Sequence, residues 1–395
     1  MTLLQEGLQL KGVSESLNSF QMVKMIFLRG LSMADKVYNF GAGPAMLPVS
    51  VMKKIQEEWL DFQGMGVSII EISHRAKEFV DILNEAQSLF RELTGLPDNF
   101  RILFVHGGAR MQFSALPLNF AGRSASRKCL YVESGNFAQL AAEEAQNFCH
   151  VETIASSAET DYDRIPALRP DQIPQDAAYL HITGNNTIYG TRWKQFPHTG
   201  DVPLIADMTS ELLSRKIDYN QFGVVYAGLQ KNLGPSGMAM VIVREDLLGF
   251  ADQQTPLLLN YTQCDKDNSL TNTTNTFAIY VVKLVLEWLK EQGGVAAIEK
   301  LNEKKSERLY QVIDNSDFYQ GIAHPEHRSV MNVSFKLATE NLDEAFLRAA
   351  ATIGLYALKG HRSVGGVRAS IYNPMPMEGV EKLAKFMEDF ERKRK

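Results

Sequence analysis

From Tyr38 onward, apolar runs repeatedly stop at polar or glycine-rich turns. In FRILFVHGGARMQFSALPLNF (Phe100 to Phe120) an apolar run ends at a glycine pair, and an apolar helical stretch follows. KCLYVESGNFAQLAAEEAQNF (Lys128 to Phe148) repeats the order of strand, turn and helix. AAYLHITGNNTIYG predicts a strand ending near Thr183, VPLIADMTSELLS one ending at Asp207, and FGVVYAGLQKN one ending just before Lys231. GMAMVIVRED predicts a strand that returns along the same sheet. Apolar strands alternating with helices predict an α/β fold, its sheet mostly parallel and buried on both faces.

Pro48 opens a helix on which Val51, Ile55 and Trp59 form one apolar face. Thr276 to Gly294 reads as a long, mostly buried helix stopped by Gly293 and Gly294. Beyond it the pattern changes. RSVMNVSFKL and GGVRASIY read as strands, EAFLRAAATIGL and GVEKLAKFMEDFERKRK as helices, the last with Val380, Leu383, Met387 and Phe390 on its apolar face. The division that follows is a large domain over 49–294 and a smaller α+β domain over 295–395, with 34–48 joining the smaller one. Residues 1–33 read as a weakly ordered extension or an over-long start, because no apolar period there needs a packing partner. Deleting them is expected to leave activity and melting temperature nearly unchanged; a large fall in Tm would show that the segment docks on the body.

The chain has 395 residues, 45% hydrophobic and 22% charged, with a net charge of −5. Scattered basic residues and a negative balance argue against nucleic acid as a partner. The most apolar helix is interrupted by Lys283, Glu287 and Lys290, which argues against a membrane span. Cys129, Cys149 and Cys264 form no short-spaced pair, so neither a disulfide framework nor a cysteine metal site is expected, and the cytoplasm is the natural compartment.

Loops at strand ends are where α/β sheets bind ligands. In VVYAGLQKNLGPSG, Lys231 follows an apolar run and precedes Gly234, Pro235 and Gly237. It reads either as a solvated loop lysine or as an amine held for covalent chemistry. Asp207, at another strand end, reads either as a helix cap or as a buried carboxylate. Together they are the two groups that pyridoxal phosphate needs most, an amine for its aldehyde and a carboxylate for its ring nitrogen. Gly107, Gly108, Ala109 and Arg110 lie where backbone N–H groups could hold a phosphate. Thr273, before the long helix, could add a hydroxyl or simply cap it with Thr274 or Asn275. Phe137 could stack on a flat ring or belong to the core.

NFGAGPAMLP, EISHRAKEF, VHGGARMQF, YAGLQKNLGPSG, VIVREDLLG, VIDNSDFY and LKGHRSVGGVRASIYN are long, ordered and spread over the chain from Tyr38 to Lys395. Through them the chain resembles the phosphoserine aminotransferases, class-V pyridoxal-phosphate enzymes of the aspartate-aminotransferase-like fold. The resemblance implies fold type I, with a mostly parallel seven-stranded sheet in the large domain. It implies transamination between glutamate and 3-phosphohydroxypyruvate, a related 4-phosphohydroxythreonine reaction in pyridoxine synthesis, and a homodimer with composite sites. By matching motif, Lys231 becomes the lysine that binds the cofactor covalently and Asp207 the partner of the pyridine nitrogen. Ala109, Arg110 and Gln230 fall at the cofactor phosphate, Thr187 at the ring oxygen, and Asn272 and Thr273 where a neighbouring subunit reaches the phosphate. Arg368 falls at the substrate carboxylate, and His74-Arg75 and His361-Arg362 at the substrate phosphate. Two departures stand out: Phe137 where bacterial members often have tryptophan, and Ala109 where a third glycine is common.

Among rivals, a cysteine desulfurase needs a reactive cysteine on a mobile loop, and none follows Cys264. A nicotinamide oxidoreductase lacks its G-x-G-x-x-G turn here and leaves Lys231 unexplained. Another small-substrate transaminase of the class-V family remains an alternative.

Overall fold

The computed structural model describes residues 37–394; the extension read over 1–33 lies outside them. Residues 38–394 pack as one compact unit. The chain runs β1 (Tyr38–Asn39), α1 (Val49–Glu57), α2 (Lys77–Thr94), β2 (Phe100–His106), α3 (Gly108–Phe120), β3 (Lys128–Glu133), α4 (Asn136–Ala145), β4 (His150–Ser156) and β5 (Tyr179–Thr183). A short hairpin of β6 (Asn185–Asn186) and β7 (Thr191–Arg192) precedes β8 (Leu204–Asp207), β9 (Val224–Gly228), β10 (Met238–Arg244), α5 (Tyr261–Lys266), α6 (Thr276–Glu291) and α7 (Gly294–Asp314). The remainder is β11 (Tyr319–Gly321), β12 (Asn332–Leu337), α8 (Asp343–Thr352), β13 (Leu355–Tyr356), β14 (Val367–Ser370) and α9 (Met377–Arg392).

Seven strands form the main sheet in the order β2-β10-β9-β8-β5-β3-β4. All its pairings are parallel except those of β10, which runs against both β2 and β9. The reason is the link: β9 passes to β10 through the 229–237 turn, too short for the crossover that a parallel neighbour requires. The carboxyl ends of β2, β3, β5, β8 and β9 therefore share one edge, and the Lys231 turn lies on it. One face of the sheet packs Ile182, Ala206 and Val225 against Phe79 and Leu83 of α2 and Ile279 and Val282 of α6. The other packs Tyr131, Ile205 and Tyr226 against Phe113 of α3 and Ala142 of α4.

A separate core gathers Val333, Phe335, Phe346, Val380, Leu383 and Met387 around the antiparallel sheet β11-β12-β14. Tyr38 and Phe40 join it, and β1 pairs parallel with β13. Gly293 and Gly294, both at positive φ, separate α6 from α7. Helix α7 serves both cores: Val295 and Ile298 pack with the main sheet, Leu309 and Val312 with the smaller one. The face expected on the first helix is shorter than its spacing implied. Helix α1 ends at Glu57, so Val51 and Ile55 are buried while Trp59 lies beyond the helix, 40% exposed, edge-on to Phe277 at 5.5 Å. No helix among the described residues is long and apolar enough to cross a membrane.

Candidate active site

Lys231 is an interior residue. It is only 8% exposed, which overturns the solvated-loop reading. Nζ donates to the Thr187 hydroxyl at 2.5 Å, Thr187 lying in the β6–β7 hairpin loop. The Phe137 ring, on the first turn of α4 and 37% exposed, has its centroid 5.8 Å from Nζ. Burial pushes the amine down to about 8; Asp207 opposes the shift and Arg368 adds to it. Gly43 closes the other side with φ +138°. A Cβ there would stand 3.2 Å from Gln230 Cγ and 3.4 Å from Lys231 Cγ, so glycine lets the backbone come close.

Asp207 ends β8 in register with Thr183 on β5 and Tyr226 on β9. Turns follow it rather than a helix, so the cap reading fails. Instead Oδ1 accepts the Thr209 N–H at 2.9 Å, a local Asx turn. The Thr209 hydroxyl accepts the Gly228 N–H at 3.1 Å and ties the ends of β8 and β9 together. Burial raises the carboxyl, and hydrogen bonds from Thr209, the charge of Lys231 and the Tyr226 hydroxyl pull it back.

Helix α3 starts on the same edge. Its cap, Gly107, has φ 81°, and no side chain satisfies the first N–H groups. A Cβ on Gly107 would fall 2.6 Å from Met111 Cβ. Ala109 sits inside the helix and is absent from the positive-φ residues, so a third glycine is not needed there. Arg110 is exposed, its guanidinium 5.2 Å from the Phe113 centroid.

Arg368, on β14, has a buried Nε with no hydrogen-bond partner. His361 and Arg362 lie in the loop leading into β14. His361 Nδ1 is 2.7 Å from Ser363 Oγ, and burial, Arg368 and Arg362 all lower its affinity for a proton. This pair therefore flanks Arg368. His74 and Arg75 lie on the segment that leads into α2. His74 is buried between a short helical turn and α2 with Nε2 unpartnered, and Arg75 is exposed. Asn272 and Thr273 lie just before α6. Asn275 caps α6 through the Ala278 N–H at 3.0 Å, so Thr273 is not the cap and stands exposed. The largest of the described cavities, about 860 Å³ beside Trp193 and His327, is lined by none of these residues.

The class-V aminotransferase family model matches residues 37–383. The chain belongs to this family. Phosphoserine aminotransferase from Lysinibacillus sphaericus is 48% identical over 91% of this chain and 99% of its own length. The solved phosphoserine aminotransferase from Bacillus circulans subsp. alkalophilus is 45% identical, with TM-score 0.88 over 91% of this chain and 99% of that one. The pyridoxal-phosphate-bound enzyme from Trichomonas vaginalis is 36% identical, with TM-score 0.85 over 89% of this chain and all of that one.

In this class-V aminotransferase several polar residues of the site's support had no distinguishing pattern in the sequence. The Tyr372 hydroxyl donates to Ala42 O at 2.9 Å and accepts from Asn332 Nδ2 at 3.2 Å. Asn232, next to Lys231, accepts the Asn373 N–H at 3.0 Å and donates to Leu212 O at 3.1 Å. Asn302 Nδ2 donates to Asn373 Oδ1 at 2.9 Å and to Ser214 O at 3.1 Å. Lys305, sealed from solvent, donates to Ile371 O, Tyr372 O and Met375 O at 3.0, 2.8 and 3.1 Å. Asparagine spacing alone could not separate these from surface positions, and Lys305 sits in a charge-rich helix where solvation is the default.

Proposed function

We propose that this protein reversibly transfers the amino group of glutamate to 3-phosphohydroxypyruvate, giving O-phosphoserine and 2-oxoglutarate, with pyridoxal 5′-phosphate as cofactor. The observation that carries the reading is a buried amine of lowered proton affinity, Lys231, set among Thr187, Phe137 and Asp207. The donor set fits the cofactor: an amine for the aldehyde, a sealed carboxylate for the ring nitrogen, and uncapped helix N–H groups for the phosphate.

The cofactor supplies an aldehyde that captures amines and a ring that takes up negative charge. Lys231 would hold it covalently and would move a proton at the substrate α-carbon. Asp207 would keep the ring nitrogen protonated, and Phe137 would stack on the ring. The Thr187 hydroxyl would serve the ring oxygen. Ala109, Arg110 and Gln230 would hold the cofactor phosphate. Arg368 pairs with the substrate carboxylate through two parallel N–H···O bonds, which a lysine could not reproduce. Three unpaired cysteines suit a reducing cytoplasm.

The acting form is a homodimer, with Asn272, Thr273, His74 and Arg75 serving the partner's site. Support comes from exposed apolar residues close to His74 and Arg75 in the chain. Trp59, Leu60, Met65, Val67 and Ile70 are all exposed, and Thr276 Oγ1 donates to Ile69 O at 3.2 Å, joining this segment to the start of α6. A transamination assay with phosphoserine and 2-oxoglutarate tests the activity; no glutamate formed by cofactor-loaded enzyme sinks it.

Each arginine facing a phosphate dianion adds charge-assisted hydrogen bonds of roughly 1.5–3 kcal/mol. Arg75→Ala and Arg362→Ala should each raise KM for phosphoserine about 10- to 100-fold while alanine turnover hardly changes. Arg368→Ala should weaken both substrates. Mixing Lys231→Ala with Arg75→Ala protein should restore about a quarter of the sites at random pairing, because only one site of each mixed dimer is intact. Equal losses for phosphoserine and alanine in Arg75→Ala would remove the phosphate role; no restoration on mixing would place Arg75 in its own subunit's site.

A further inference from the structure

Behind Asp207 lies a row of sealed polar side chains that the chemistry above does not use. Asp207 and Tyr226 are register partners on adjacent parallel strands, so their side chains share one face of the sheet. The Tyr226 hydroxyl lies 2.9 Å from Nε2 of His181 on β5, and it lowers the proton affinity of the Asp207 carboxylate beside it on the same face. His181 is 0% exposed and its Nδ1 has no partner. Its ring packs against Tyr131 at 5.0 Å with a 30° tilt, and the Tyr131 hydroxyl is 2.6 Å from that of Tyr179. Apolar residues of similar volume would fill this space without desolvating a hydroxyl and an imidazole.

The chemistry of these groups gives the row a direction. A carboxylate only accepts, so a Tyr226 hydroxyl that serves Asp207 must donate to it. The tyrosine oxygen then accepts, and the proton between it and His181 belongs to Nε2. Burial drives the imidazole down to about 3 and keeps it neutral, which leaves Nδ1 as a bare acceptor. A buried acceptor without a partner is more readily tolerated than a buried donor without one.

We propose that His181 and Tyr226 are positioning residues, a one-way relay from His181 Nε2–H through the Tyr226 hydroxyl that holds Asp207 ionised and aimed at the cofactor's ring nitrogen. This rests on the cofactor reading above. The relay acts only through that nitrogen, so its effect disappears for a cofactor that has none.

The test uses the full-length, cofactor-free protein and two probes: pyridoxal 5′-phosphate and its 1-deaza analogue, in which C–H replaces the ring nitrogen. Dissociation constants are measured for wild type, Tyr226→Phe, His181→Phe and His181→Gln. Tyr226→Phe should weaken pyridoxal phosphate about 10- to 100-fold, the scale of a lost hydrogen bond to a charged group, and leave the deaza analogue within about 3-fold. His181→Phe should shift in the same sense by less, and His181→Gln, which keeps an N–H donor, should recover most of it. If Tyr226→Phe does not fold, the two His181 variants carry the comparison. Equal losses for both probes, or no loss for either, overturn the relay. Wild type that binds neither probe overturns the cofactor reading itself, and wild type that fails to discriminate removes the role of Asp207 and the relay with it.

Discussion

Lys231→Ala protein should fold, take up pyridoxal phosphate without covalent attachment and show no measurable turnover. Two roles fall on one nitrogen, holding the cofactor and moving the proton, and among the described residues no other lysine bonds to Thr187 or stands over Phe137. The melting temperature of the cofactor-free variant should not fall. In wild type the amine is buried at 8% exposure, and burial already works against its charge. The sign of that shift makes a second expectation. The amine titrates near 8 rather than 10.5, so at neutral pH about a tenth is neutral and able to attack an aldehyde. Capture of cofactor by the cofactor-free protein should therefore accelerate about fivefold from pH 7 to pH 8, gain about a further twofold above that, and level off. Stopped-flow absorbance follows it; a rate flat across that interval would mean that the amine titrates elsewhere, and wild-type activity in Lys231→Ala would end the assignment.

Asp207→Asn should keep the cofactor bound while kcat falls by several powers of ten. The amide has nearly the same shape and can still accept the Thr209 N–H, so the turn survives. What it loses is the negative charge beside the ring nitrogen, in a sealed site where charge is poorly screened. One preorganised electrostatic partner is commonly worth about 10²–10³ in kcat, and here it acts on the group that must accept the developing charge. Steady-state kinetics on the loaded variant decide the matter; unchanged turnover would leave Asp207 with only its turn-forming role.

Lys231 and Asp207 could be found because each stands where an apolar strand stops, and a parallel sheet brings such stops to one edge. The returning strand Met238–Arg244 was legible for a related reason: a short link leaves only the antiparallel direction. Trp59 was misleading, since spacing cannot tell that a helix ends two residues earlier. Tyr226, His181 and Lys305 were silent. A tyrosine or histidine inside an apolar strand fits a core as well as a network, and its partner lies on another strand. The role proposed for Arg75 rests on a second copy of the chain, which periodicity along one chain cannot encode.

The asparagine and lysine contacts between the Lys231 turn and the Arg368 strand make these two parts one mechanical piece, although Asn232 and Asn373 stand 141 positions apart. That limits how relatives can be recombined. A chimera joined between Asn232 and Asn302 separates Asn232 from Asn302, Lys305 and Asn373. Unless both parents carry compatible residues at all four places, one parent's amine would face an arginine seated by the other's scaffold. Crossovers before the β8 strand keep the four together and are the permissive joints for shuffling this enzyme.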